Sequence, residues 1–124
     1  MILEKDIQSA IKKRLEKFGW LVIKLIQTTL NGIPDLLALR DGEAVFIEVK
    51  RPGGKVSPLQ TYRIKQIKDK QFQVIIAYST TDIRHLCLPS SVKPQKNISE
   101  TTSLLSQPTT PSVPSSRGKN TSPE

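Results

Sequence analysis

The chain has 124 residues, with 19 Lys plus Arg against 11 Asp plus Glu and a formal charge of +8. That length holds one domain at most, and the basic excess favours a polyanionic partner, most often nucleic acid. A single cysteine excludes an internal disulfide framework and suits a reducing cytoplasm, the expected location. No apolar run reaches the ~18–20 residues of a membrane span, and the N-terminus lacks the basic–apolar–small pattern of a signal peptide.

Residues 3–18 read as an amphipathic helix. Leu3, Ile7, Ile11, Leu15 and Phe18 recur every three or four positions as one apolar stripe. Glu4 neighbours that stripe in the first turn, where an acid ordinarily complements the helix dipole. Gly19 is placed to stop the helix. Residues 20–26 then form a continuous apolar run broken only by Lys24, the pattern of a strand covered on both faces. A polar loop follows over 27–34. In it Gly32 suits a close backbone approach or an unusual φ, and Pro34 disfavours helix at Ile33.

Two apolar runs, 36–39 and 44–49, flank Asp41-Gly42. Asp-Gly in that setting predicts a two-residue hairpin turn. Counting back from the turn pairs Arg40 with Glu43, Leu39 with Ala44 and Asp35 with Glu48. Directly opposed residues have Cβ atoms only ~4.5–5.5 Å apart and share a face. Strand alternation brings Lys50 to the same patch, ~6–7 Å beyond Glu48. Two opposed carboxylates and one ammonium then meet in an otherwise apolar hairpin. A divalent cation between Asp35 and Glu48 would neutralise both acids, and oxygen ligands suit Mg²⁺ or Mn²⁺. The competing reading is an ion triad at a sheet edge. Both hairpin faces are apolar, which predicts an internal sheet covered by helices.

A basic, glycine-rich loop runs from Arg51 to Lys55 and can act as a plain connector or grip phosphates. Ser57-Pro58-Leu59-Gln60 matches a capping box, with Ser at N-cap, Pro at N1 and Gln at N3. The helix it opens runs to about Lys70 and carries Arg63, Lys65 and Lys68. Residues 72–78 read as a further strand, and Thr80-Thr81-Asp82 as the cap of a short helix to about Leu88. His85, the only histidine, reads as a surface or packing residue, and Cys87 as a small buried apolar group. Residues 89–124 hold six of the nine prolines and no aromatic residue, a composition that predicts disorder. The expected division is a domain over 1–88 and a Pro/Ser/Thr-rich tail over 89–124. The domain carries 15 basic and 9 acidic residues, so most of the charge excess lies there.

Gly32-Ile-Pro34-Asp35, twelve intervening residues, and Glu48-Val-Lys50 together resemble the GxPD…ExK signature of the PD-(D/E)xK nuclease superfamily. More narrowly, the chain resembles small stand-alone VRR-NUC nucleases of phages and bacteria, over roughly residues 1–88. The element order α-β-β-β-α-β-α agrees with the fold the resemblance implies: a restriction-endonuclease-like α/β core with a mixed central sheet flanked by helices.

The resemblance implies a metal-dependent DNA endonuclease. Asp35, Glu48 and the backbone carbonyl of Val49 would bind Mg²⁺ or Mn²⁺. Glu4 would assist, often through water. Lys50 would orient the attacking water or stabilise charge on the phosphate, and Gln60 would lie near the site. Arg51, Lys55 and Arg63 are the candidate phosphate contacts. The implied substrate is branched DNA such as four-way (Holliday) junctions, the implied assembly a homodimer, and the implied setting a bacterial or phage-infected cell. An endonuclease with little structure preference and a non-catalytic DNA-binding module are the alternatives.

Overall fold

The computed structural model describes residues 2–91. Helix α1, Glu4–Lys17, precedes an edge strand β1, Leu21–Lys24, and the hairpin of β2, Leu36–Arg40, and β3, Glu43–Val49. Helix α2, Pro58–Asp69, crosses to β4, Gln73–Ala77, and a 3₁₀ helix, Thr80–Leu86, ends the domain. The sheet order is β1-β2-β3-β4. The first two pairings are antiparallel and β3–β4 is parallel, so α2 supplies the crossover a parallel pair requires.

The hairpin forms in the predicted register. Arg40 faces Glu43, Leu39 faces Ala44 and Leu36 faces Ile47. Asp41 and Gly42 have φ of 54° and 79°, the left-handed pair of a type I′ turn. One sheet face carries the core. Ile7, Ile11 and Leu15 of α1 pack with Val22, Leu36, Ala38, Val45, Ile47 and Val49, closed by Ile83 and Leu86. Trp20 joins them with its indole Nε1 donating to Leu86 O at 2.9 Å.

The opposite face departs from the sequence expectation. Helix α2 packs on β4, where Ile64 and Val74 are buried, and no described element covers β1. Leu21 is 60% and Ile23 38% exposed, while Val22 on the other face packs in the core with α1. The first strand is therefore an edge strand with its Leu21–Ile23 face open, not one covered on both sides. It is also shorter than the apolar run of 20–26. Its ladder with β2 ends at Lys24–Leu36, followed by one more bond from Leu25 N to Asp35 O at 2.8 Å. Beyond that point Pro34 has no N–H to extend the ladder.

The terminal segment is a 3₁₀ helix ending at Leu86, and Ser79 rather than Thr80 caps it, its hydroxyl accepting from Thr81 N at 3.2 Å. Asp82 instead accepts from Tyr78 N at 2.7 Å. Cys87 is half-buried, and His85 meets the Gln73 amide at 3.1 Å. The chain remains docked as far as Ser91, whose N–H donates to Asp41 Oδ2 at 3.2 Å. The expected tail, residues 89–124, lies outside the described residues from 92 onward.

Candidate active site

Asp35 sits where the loop enters β2, and Glu48 lies in β3, opposite it by the register that pairs Leu36 with Ile47. Two backbone contacts fix Asp35: Leu25 N donates to its carbonyl at 2.8 Å, and Val49 N donates to its Oδ2 at 2.8 Å. Glu48 is 2% exposed and is the one buried charged residue among those described. Lys50 Nζ stands 3.6 Å from Glu48 Oε2, on the side strand alternation predicts.

Gln60 serves two partners. Its Oε1 accepts from Ser57 N at 2.9 Å, and Gln60 N donates to Ser57 Oγ at 3.1 Å, completing the capping box. Its Nε2 donates to Glu48 Oε2 at 2.9 Å. The cap therefore turns the amide so that its donor end faces the carboxylate. Glu4 lies across the site mouth, its Oε2 accepting from Arg51 N at 3.5 Å. Glu4, Lys50, Arg51 and Lys55 line a shallow pocket of about 370 Å³ with Leu3 and Gly54.

Burial is the first cause that raises the Glu48 carboxyl, to about 7, and the Asp35 charge is the second; Lys50 opposes both. Asp35 is also raised, by burial first, with the Val49 N–H pulling the other way. One lysine thus leaves a buried acid pair undercompensated. Glu48 Oε1 is buried with no hydrogen-bond partner, an uncommon condition for a carboxylate oxygen. No group of three or more His, Cys, Asp or Glu side chains among the described residues forms a ready metal cage. The two opposed carboxylates still fit a hard divalent cation, because Mg²⁺ commonly takes one or two carboxylates and fills its sphere with water and phosphate oxygens.

Of the three basic residues the sequence suggests for phosphate contact, two line the pocket and one turns to the protein. Arg51 and Lys55 line the pocket beside Lys50. Arg63 points its Nε at Asn31 O, 2.8 Å, and its Nη1 at Gln66 Oε1, 2.8 Å. Lys24, marked in the sequence only as a break in an apolar run, bears electrostatically on Asp35 and opposes its raised pKa. Its signal was a charge at the last residue of an apolar strand, next to the loop that delivers Asp35.

No helix among the described residues is long and apolar enough to cross a membrane. The VRR-NUC domain model matches residues 2–81. Protein p44 of Acyrthosiphon pisum secondary endosymbiont phage 1, provisionally named a nuclease, is 31% identical over 77 residues, 61% of this chain and 83% of that protein. A UPF0102 protein of Thermotoga petrophila is 36% identical over 66 residues, 52% of this chain and 60% of its own length. A solved structure titled VRR-NUC domain superimposes with a TM-score of 0.61 at 32% identity, covering 67% of this chain and 91% of that one. The hairpin that opposes Asp35 and Glu48 is thus part of a fold shared with a known nuclease domain, and the chain belongs to the VRR-NUC domain family.

Proposed function

We propose that this nuclease is a divalent-metal-dependent DNA endonuclease selective for branched DNA and active as a homodimer. The observation that carries the metal reading is the unpartnered, buried Oε1 of Glu48 beside Asp35. Asp35 and Glu48 would hold Mg²⁺ or Mn²⁺ with the Val49 carbonyl, and Glu4 would hold a metal-bound water. The bound metal would polarise a phosphate oxygen and acidify a water. Lys50, 3.6 Å from Glu48, orients the attacking water or stabilises charge developing on the phosphate. Gln60 keeps the Glu48 carboxylate turned toward the site. Arg51, Lys55 and Lys24 take flanking phosphates, giving affinity without base readout. A domain this small presents one such site, so paired cuts in a four-way junction need two copies.

The test is cleavage of labelled four-way junction, flap, duplex and single-stranded DNA in Mg²⁺, Mn²⁺ or EDTA, for wild type and Lys50→Ala. Paired symmetric cuts in the junction, lost in EDTA and in the variant, support the whole reading. Equal cutting of every substrate keeps the chemistry and removes the branch selectivity. Binding with no metal-dependent product turns the chain into a non-catalytic DNA-binding module.

A further inference from the structure

We propose that Arg63 is a positioning residue that clamps the Asp35 loop to α2, the helix whose Gln60 also bonds Glu48 of β3. Two of its three guanidinium nitrogens donate to the protein. Nε donates to Asn31 O at 2.8 Å and Nη1 to Gln66 Oε1 at 2.8 Å. The group also lies 5.3 Å from the Tyr62 ring centroid.

The loop is pressed onto the helix at the same point. Gly32 has φ +84°, and a Cβ built there would meet Leu59 Cγ at 2.9 Å, the Leu59 carbonyl carbon at 3.2 Å and Arg63 Cγ at 3.2 Å. Only a glycine lets the backbone come this close in that conformation. Pro34, fully buried, links this contact to Asp35 with a fixed φ.

Gln60 and Arg63 are three apart on α2 and so share a helix face. Gln60 fixes Glu48 at 2.9 Å, and Arg63 fixes the loop that delivers Asp35. Opposed carboxylates repel, and a metal site tolerates little drift in its ligands. One helix face therefore sets the separation of the two acids. Arg63 acts through Asn31 and not on phosphate, which reassigns a residue the sequence suggests for DNA contact. The inference rests on Asp35 and Glu48 being the metal-binding pair.

Arg63→Met keeps the stem against Gly32 and removes every donor. Arg63→Lys keeps one donor. Arg51→Met serves as the phosphate-contact comparator. Two quantities are read on each full-length variant: DNA affinity and its salt slope in EDTA, and the Mn²⁺ concentration that half-saturates the metal-induced shift in melting temperature. Arg63→Met is expected to bind DNA in EDTA within about twofold of wild type with an unchanged slope, while its Mn²⁺ midpoint rises ~10–100-fold, as for other residues that orient metal ligands. Arg63→Lys should fall between. Arg51→Met should do the reverse, losing about 1 from the slope with an unchanged midpoint. The clamp is overturned if Arg63→Met lowers the salt slope, or if both Arg63 variants leave the Mn²⁺ midpoint where it was. A wild-type protein with no Mn²⁺ shift at all removes the acid-pair reading itself, and the clamp with it.

Discussion

In the proposed site, Glu48 is a buried acid with too few partners. Its carboxyl is raised to about 7 from an ordinary 4.5. Between those values the folded, metal-free protein binds more protons than the unfolded chain, so stability falls as pH rises through that window. The loss is on the order of 3 kcal/mol by the size of the shift. Metal binding requires the ionised form, so Mn²⁺ affinity should tighten from pH 6 to pH 8, measurable by the metal-induced melting shift at each pH. Lys50→Ala should lower the cleavage rate by about 10²–10³-fold, the scale of losing one charge-stabilising donor, while DNA affinity in EDTA changes little. Gln60→Ala should weaken metal affinity about 10–100-fold and also loosen the α2 cap.

At the scale of elements, the hairpin and α2 build the site between them. The hairpin was legible because Asp41-Gly42 permits one turn type, and the turn alone pairs Asp35 with Glu48. The capping box at Ser57–Gln60 was legible too, since Ser, Pro and Gln each take their preferred position. What the sequence did not reveal is contact between distant segments: Arg63 on Asn31, Gly32 on Leu59, and the open face of β1. An apolar strand reads the same whether a helix covers it or not, and an arginine on a helix does not declare its acceptor. Gly32→Ala tests the loop contact. The added methyl meets the α2 backbone at a positive φ, so the variant should lose on the order of 1–3 kcal/mol in denaturant unfolding. Ser57→Ala should cost about 1 kcal/mol through the lost cap.

For the whole molecule, charge is the feature that bears on a nucleic-acid partner. The positive excess of residues 1–88 and the Arg51–Lys55 loop at the pocket mouth favour phosphate binding. Replacing Arg51 and Lys55 together by Met should reduce the salt slope of DNA binding by about 2, read in EDTA so that cleavage does not interfere. Sedimentation of the proposed dimer should show two copies per particle at cleavage-active concentrations.

Thermal unfolding of wild type and Glu48→Gln at pH 8, in EDTA and in Mn²⁺, tests the claim that the opposed acids are a metal site most directly. In EDTA the variant should melt above wild type, because it removes a buried, undercompensated charge; for a domain of this size each 1 kcal/mol is worth about 4–8 °C. In Mn²⁺ the wild type should gain stability and the variant should not. A variant that melts below wild type in EDTA, or a wild type indifferent to Mn²⁺, would contradict the account and leave Asp35, Glu48 and Lys50 as a structural ion triad.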